Sequence, residues 1–266
     1  MRILVVNDDG IYARGLSALV RGLKDLGEIY VVAPDRERSA TGHSITVHRP
    51  LRVRKVALSS DFGVAASWSV DGTPSDCVKL AVEDLLPNPP EIVLSGINQG
   101  SNLGTDVLYS GTVSAAVEGL ISGFPSVAVS LTSFPDRDFS TAAEFARKLV
   151  TVLEKGAFSQ NFLLNVNVPP GDRHNGVKIT RLGNRRYINI FDKRTDPRGR
   201  VYYWMGGDLL EMEDNQEGTD VSAVKNNYIS ITPLRLDLTD YPGIDNLNSN
   251  GFLENFKTII TGGSKI

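Results

Sequence analysis

Cysteine is nearly missing from this 266-residue chain: Cys77 stands alone, so no intrachain disulfide and no cysteine-built zinc cage can form. Histidine is almost as scarce. His43, His48 and His174 are scattered without zinc-ligand spacing, and none is assigned to a metal. Neither sign of charge is in excess: the formal net charge is -3 and the pI is near 5.7. That balance leaves no electrostatic footprint for duplex nucleic acid or an anionic membrane surface, although a small anionic ligand needs only local positive charge or a metal. No apolar run approaches the roughly eighteen residues that cross a bilayer. The apolar start stops at Asn7, too short for a signal peptide. A cytoplasmic protein with no membrane and no duplex nucleic-acid partner is expected. Repeats and low-complexity segments are also absent, and the length fits one large domain or two small ones.

What is there begins at once. Ile3–Val6 is a continuous apolar run rich in β-branched residues, which predicts a strand buried on both faces of a parallel sheet. Two carboxylates, Asp8 and Asp9, follow it, and Gly10 permits a sharp turn. In open α/β sheets the carboxyl ends of strands form the ligand crevice. A carboxylate pair there attracts a hard divalent cation, whose charge offsets the repulsion between the neighbours. The alternative is that one of them merely caps the next helix.

The N-terminal half alternates strand and helix patterns. Leu16, Leu19, Val20, Leu23 and Leu26 recur at helical spacing before Gly27. Ile29–Ala33 reads as a strand, and strand material is expected from Ile45 to Val56. Ser75 or Asp76 can cap a helix through Val78, Val82, Leu85 and Leu86. A strand over Glu91–Gly96, a helix from near Ser110, a strand over Ser126–Leu131 and a helix over Thr141–Lys155 follow. Such repeats imply a doubly wound, mostly parallel α/β sheet. Later, Val177–Leu182 and Tyr187–Phe191 read as strands. Arg200–Met205 is expected to pair across a turn containing Asp196-Pro-Arg-Gly199, as a projecting antiparallel hairpin. Asp220–Asn226 reads as a short helix and Tyr228–Leu234 as a strand. Phe252, Leu253, Phe256, Ile259 and Ile260 then suggest an ending that docks on something, such as a second subunit. The expected organisation is a single domain over 1–266, with a core over 1–175, a hairpin region over 176–215 and a C-terminal strand and arm over 216–266.

Three loops follow strand ends and would converge on one crevice. The first holds Asp8 and Asp9, and the second holds Ser39 beside Arg38. The third runs from Ser95 to Asp106 and on to Tyr109-Ser-Gly-Thr112. In it, Gly96, Gly100 and Gly104 let backbone approach a ligand. Asn98 and Asn102 offer amide oxygens to a cation and amide nitrogens to phosphate. Ser110, Gly111 and Thr112 open a helix whose N–H groups favour an anion. The loop lacks the Gly-Lys-Ser/Thr ending of a P-loop, and Asp-Asp-Gly after the first strand would repel a dinucleotide pyrophosphate. A long turn with asparagines at strained positions is its plainer reading. Ser39 by itself is an ordinary polar loop residue, and His43 reads as a surface histidine. Arg185 and Arg186 read as a solvated patch rather than an anion clamp. Asp35 and Asp106 either support a site or cap turns, and Cys77 reads as core.

These motifs together resemble the SurE family of survival proteins, metal-dependent nucleotidases. They are Val6-Asn-Asp-Asp-Gly10, Ala33-Pro-Asp35 with Arg38-Ser39, Gly72-Thr-Pro74 with Asp76-Cys77, Ser95-Gly-Ile-Asn98, Gly104 and Tyr109-Ser-Gly-Thr112. Thr219-Asp220 and Ser230-Ile-Thr-Pro-Leu234 complete the set. The resemblance implies a Rossmann-like core, an extended hairpin, a C-terminal arm exchanged between subunits, and a homodimer or homotetramer. It implies one divalent cation per subunit, Mg2+ or Mn2+, held by Asp8, Asp9, Ser39 and Asn98. Asn102, Ser110, Gly111 and Thr112 then become substrate and phosphate contacts. A C-terminal histidine and aspartate linked to some family members has no counterpart, since no histidine follows His174. The implied activity is metal-dependent hydrolysis of nucleoside 5′-monophosphates, with 3′-monophosphates and short polyphosphate as further candidate substrates and Asp8 or Asp9 orienting or deprotonating the water. The competing readings are a non-catalytic metal- and nucleotide-binding regulatory module and a sugar-nucleotide transferase, for which the chain is short.

Overall fold

The computed structural model describes residues 1–59, 62–134, 138–157, 161–188, 190–210 and 216–253. Its first half lays down β1 (Arg2–Val6), α1 (Arg14–Leu23), β2 (Glu28–Pro34), β3 (Val53–Lys55), β4 (Val64–Val70), α2 (Pro74–Leu80) and β5 (Ile92–Gln99). Next come α3 (Gly111–Ile121), β6 (Ser126–Leu131), α4 (Ser140–Val152), β7 (Leu163–Val168) and β8 (Val177–Ile179). The strands β9 (Arg186–Ile188), β10 (Phe191–Thr195), β11 (Val201–Met205) and β12 (Asp208–Leu210) precede α5 (Asp220–Lys225), β13 (Ile229–Pro233) and α6 (Tyr241–Ser249).

Nine strands form one sheet in the order β3-β4-β2-β1-β5-β6-β7-β13-β8. The six from β4 to β7 run parallel, while β3 and β13 pair antiparallel at the two flanks. This is the doubly wound α/β sheet expected. Helices α1 and α4 cover one face, where Leu16, Leu19, Leu23, Ala142, Ala146 and Val150 pack on Ile3, Val5, Ile29, Val31 and Leu94. The other face buries Cys77 and Val78 of α2 and Ala115 of α3 against Leu4, Val6, Val32 and Val93. Strands covered on both sides must be apolar throughout, which is why β1 shows no alternation.

Several boundaries moved for identifiable reasons. Of Ile45–Val56 only Val53–Lys55 is strand, because the Thr46 and Arg52 N–H groups donate to the Asp76 and Asp71 carboxylates rather than to a ladder. Thr73, not Ser75 or Asp76, caps α2, and Asp76 closes a capping box with it. Strands β4 and β7 were not foreseen, since serines or asparagines interrupt their apolar runs. The hairpin is present: β10 pairs with β11 in the register Phe191–Met205 to Thr195–Val201, across the expected turn, and β9 with β12.

The chain divides into two compact units, Met1–Leu234 and Arg235–Ile266. The second contains α6, capped by the Asp240 side chain accepting from the Gly243 N–H, and no residue of that helix is buried. Of the apolar ending, Phe256, Ile259 and Ile260 lie outside the described residues.

Candidate active site

The direction of winding reverses between β1 and β5. From β1 the chain builds β2 and β4 on one side, then crosses to build β5, β6 and β7 on the other. Asp8 and Asp9 leave β1 at this switch point, the place where open α/β sheets bind their ligands. Asn7 holds their turn: its amide donates to the Gly10 carbonyl and accepts from the Gly10 N–H, at 3.0 and 3.2 Å.

Asp8 is buried, with 5% of its surface exposed. The Thr112 hydroxyl donates to its Oδ1 at 2.5 Å, and the Thr112 backbone N–H also bonds its carboxylate. Ser110 caps α3 by accepting from the Val113 N–H. Between them Gly111 is obligatory, because a Cβ there would stand 2.7 Å from the Asp8 Cβ. The Ser-Gly-Thr motif therefore presses a helix start against a carboxylate. Burial nevertheless raises the Asp8 pKa above the usual range, outweighing the Thr112 bonds that lower it. Asp9 is half-buried and accepts from the Gln99 N–H at 3.4 Å across the switch point. Burial first, and then the neighbouring charge of Asp8, pushes its pKa up to about 7.

The loop after β2 reaches the same place. The Arg38 N–H donates to the Asp8 carbonyl at 2.7 Å, and the Ser39 hydroxyl beside it donates to Glu37 at 2.6 Å. Glu37 lies near enough to raise both aspartate pKa values, a third carboxylate that sequence reasoning passed over. Asn98, next to the Asp9-bound Gln99, spends its amide nitrogen on the Gly100 carbonyl at 2.9 Å. Its amide oxygen is thus the end left to face a ligand. Two carboxylates, a hydroxyl and an amide oxygen make an all-oxygen donor set, the kind that suits Mg2+, Mn2+ or Ca2+ rather than zinc. Among the described residues no group of three or more His, Cys, Asp and Glu side chains is clustered for a metal. A cation here therefore draws on the neutral oxygens as well. The oxygen donors fit the implied ion, and burial raises the pKa of both carboxylates.

Asn102 belongs to a buried network. Its amide donates to Ser130 Oγ at 2.7 Å, its backbone N–H to Asn167, and its carbonyl accepts from both Asn165 and Asn167. Asp220, fully buried, accepts from the N–H groups of Gly104 and Gly183 at 2.8 and 2.7 Å. Arg185 is not a solvated patch: it pairs with Asp106 and donates to Ser101 at 2.9 Å. Asp35 pairs with Arg38 at 3.2 Å, and His43 meets the buried Glu118. The glycine-rich loop is therefore pinned from β6, β7, α5 and the foot of the hairpin.

A family model described as Survival protein SurE matches residues 3–189. The chain belongs to the SurE family. The 5′-nucleotidase SurE of Pelotomaculum thermopropionicum is 59% identical over 247 residues, covering 93% of this chain and 94% of its own. That of Nostoc sp. is 52% identical over 263 residues, covering 95% and 99%. The crystal structure of the SurE protein from Aquifex aeolicus superposes with a TM-score of 0.79 at 41% identity, covering 96% of this chain and all of that one. The fold is thus shared with the Aquifex protein over 96% of this chain, and Asp8, Asp9, Ser39, Asn98 and the Ser110–Thr112 motif all fall inside the family match.

Proposed function

We infer that this SurE chain is a 5′-nucleotidase, hydrolysing nucleoside monophosphates to nucleoside and phosphate with a divalent cation, Mg2+ or Mn2+, one per subunit. The observation that carries the reading is the paired Asp8 and Asp9 at the switch point, with the α3 helix start pressed against them. A bound cation supplies electrophilic stabilisation of the phosphoryl oxygens at that place. Asp8, Asp9, Ser39 and Asn98 would hold it.

The chain's own groups divide the remaining work. Thr112 fixes Asp8 through its hydroxyl and N–H, and so acts through that carboxylate. Ser110 and the Gly111 N–H, at the positive end of α3, are placed for the phosphate. Asn102 sets the course of the glycine-rich loop through Ser130, Asn165 and Asn167. Asp9, the more open of the pair, is assigned to orient the attacking water and take its proton. The water oxygen bonds to phosphorus, the ester P–O bond breaks, and the proton taken by Asp9 passes to the leaving nucleoside oxygen. No helix is long and apolar enough to cross a membrane among the described residues, and a cytoplasmic setting is proposed. Self-association through the hairpin and the C-terminal arm, as a homodimer or homotetramer, belongs to the same reading.

Phosphate release from a panel of 5′- and 3′-nucleoside monophosphates, with EDTA and with Mg2+ or Mn2+ restored, tests it. Metal-dependent release is expected, and Asp9→Asn is expected to lower turnover by at least about two orders of magnitude. Nucleotide binding without release under any metal would establish a binding module instead.

A further inference from the structure

We propose that His43 is a positioning residue: it latches the loop carrying Ser39 onto α3, and so holds that hydroxyl at the carboxylate pair. The inference rests on the reading of Ser39 as a cation ligand and goes one layer beyond it.

Between β2 and β3 the chain runs from Asp35 to Arg52 without helix or strand, and most of its residues are exposed. Such a segment has no ladder to fix it, and ordering it costs on the order of 1 kcal/mol of entropy per residue. Its course must be set by discrete ties. One, from the Arg38 N–H to the Asp8 carbonyl, lies on the near side of Ser39. On the far side, the Gly42 N–H donates to the Tyr109 carbonyl at 3.0 Å, and His43 Nε2 lies 2.8 Å from Glu118 Oε2. Thr46 then reaches Asp76.

The His43 tie differs from the others in where it ends. Glu118 sits in α3 with 3% of its surface exposed, while the His43 side chain remains 35% exposed. A carboxylate buried to that degree in a helix covered by neighbours is retained only with partners. Its two partners come from different places: Lys79 of α2 at 3.1 Å on Oε1, and His43 on Oε2. The same helix begins with Gly111 and Thr112 against Asp8. One rigid element therefore fixes both the Asp8 carboxylate and, through His43, the strap that carries Ser39. A serine four residues from an unlatched strap would sweep out many positions, and cation affinity would fall accordingly. Outer supports of metal ligands typically account for ten- to a hundredfold in affinity.

The test uses the full chain and Mn2+ itself, titrated by calorimetry, with amide hydrogen exchange on the metal-free protein. His43→Ala is expected to weaken Mn2+ binding about tenfold and to speed exchange at the Gly42 N–H. His43→Gln, which keeps an N–H at the reach of Nε2, is expected to restore both. Lys79→Met removes the other partner of Glu118 without touching the strap. It should lower thermal stability and leave Mn2+ affinity within about twofold. If His43→Ala binds Mn2+ like the wild type, or if Lys79→Met weakens it equally, the latch is overturned while the cation reading stands. If the wild type itself takes up no Mn2+, the cation reading fails and the latch with it.

Discussion

At the scale of single residues, Asp8 and Asp9 hold protons more tightly in the folded chain than in an unfolded one, where each has a carboxyl pKa near 3.8. Between that value and about 7 the folded, metal-free protein carries more protons than the unfolded chain. The contribution of Asp9 to stability therefore falls as pH rises across that interval, and the raised pKa of Asp8 acts in the same direction. A divalent cation held by the ionised pair, as proposed, would reverse the trend. Thermal melts in EDTA should thus give a higher Tm at pH about 5.5 than at pH about 8, apart from the rest of the molecule's titration. The comparison with Asp9→Asn isolates the effect, because that variant should lose most of the difference. Added Mn2+ should raise Tm more at the higher pH. Thr112 offers a second check. Thr112→Val leaves the buried Asp8 without its hydroxyl partner, a loss of about 1.5–3 kcal/mol for a bond to a charged group. Thr112→Ser should retain it, and melts of the two proteins separate the cases. Asp8, Asp9 and Ser110–Thr112 were legible in the sequence as types and spacings. That Thr112 serves Asp8 was not, because only the fold brings residues 104 positions apart into contact.

At the scale of elements, the sequence pattern reported what apolar periodicity can report. The strand Ser126–Leu131 and the helix capped by Ser110 stand where predicted, since one carries Val127, Val129 and Leu131 at strand spacing and the other opens on a capping serine. Strand β7 escaped because Asn165 and Asn167 interrupt Leu163–Val168, and both are fully buried. Polar side chains inside a sheet defeat periodicity; their purpose is visible only when they are seen clamping Asn102. Asp220 belongs to the same class. It was read as part of a helix start, and it caps nothing further than Val221; its main load is the Gly104 and Gly183 N–H groups. Gly104 itself has φ +53°, and a Cβ there would lie 2.5 Å from the Gly183 carbonyl oxygen, so the two loops touch backbone to backbone. Asp220→Asn places an amide NH2 toward one of those N–H donors, leaving a buried group unsatisfied at about 1–3 kcal/mol. The expected result is a Tm lower by several degrees and faster amide exchange at Gly104 and Gly183. Unchanged exchange at Gly104 would show that the glycine-rich loop is held without Asp220.

At the scale of the whole molecule, the hairpin is the feature that a single chain does not explain. Every residue of β10 and β11 is exposed, and Phe191, Val201, Tyr202, Tyr203, Trp204 and Met205 are among them. Contiguous apolar surface of this kind marks a binding face rather than a tolerated accident. A two-stranded ribbon is marginal in water unless something covers it. A second copy of the chain is the occupant proposed, and aromatic residues with a methionine are the side chains enriched at the centres of such interfaces. Asp192 and Arg194 stand across from Trp204 and Tyr202 in the ribbon and pair with each other at 2.7 Å, so their charges are compensated within that face. Trp204→Asp puts a carboxylate into the middle of that face, where an unpaired buried charge is not tolerated. The substitution leaves the nine-stranded sheet untouched, since among the described residues β11 pairs only with β10. Light scattering on the eluting protein should therefore show the wild type as a dimer or tetramer and Trp204→Asp shifted toward the monomer, with the same far-ultraviolet dichroism. A wild type that elutes as a monomer at micromolar concentration would remove the second copy as the hairpin's partner. An oligomer unchanged by Trp204→Asp would move the interface elsewhere.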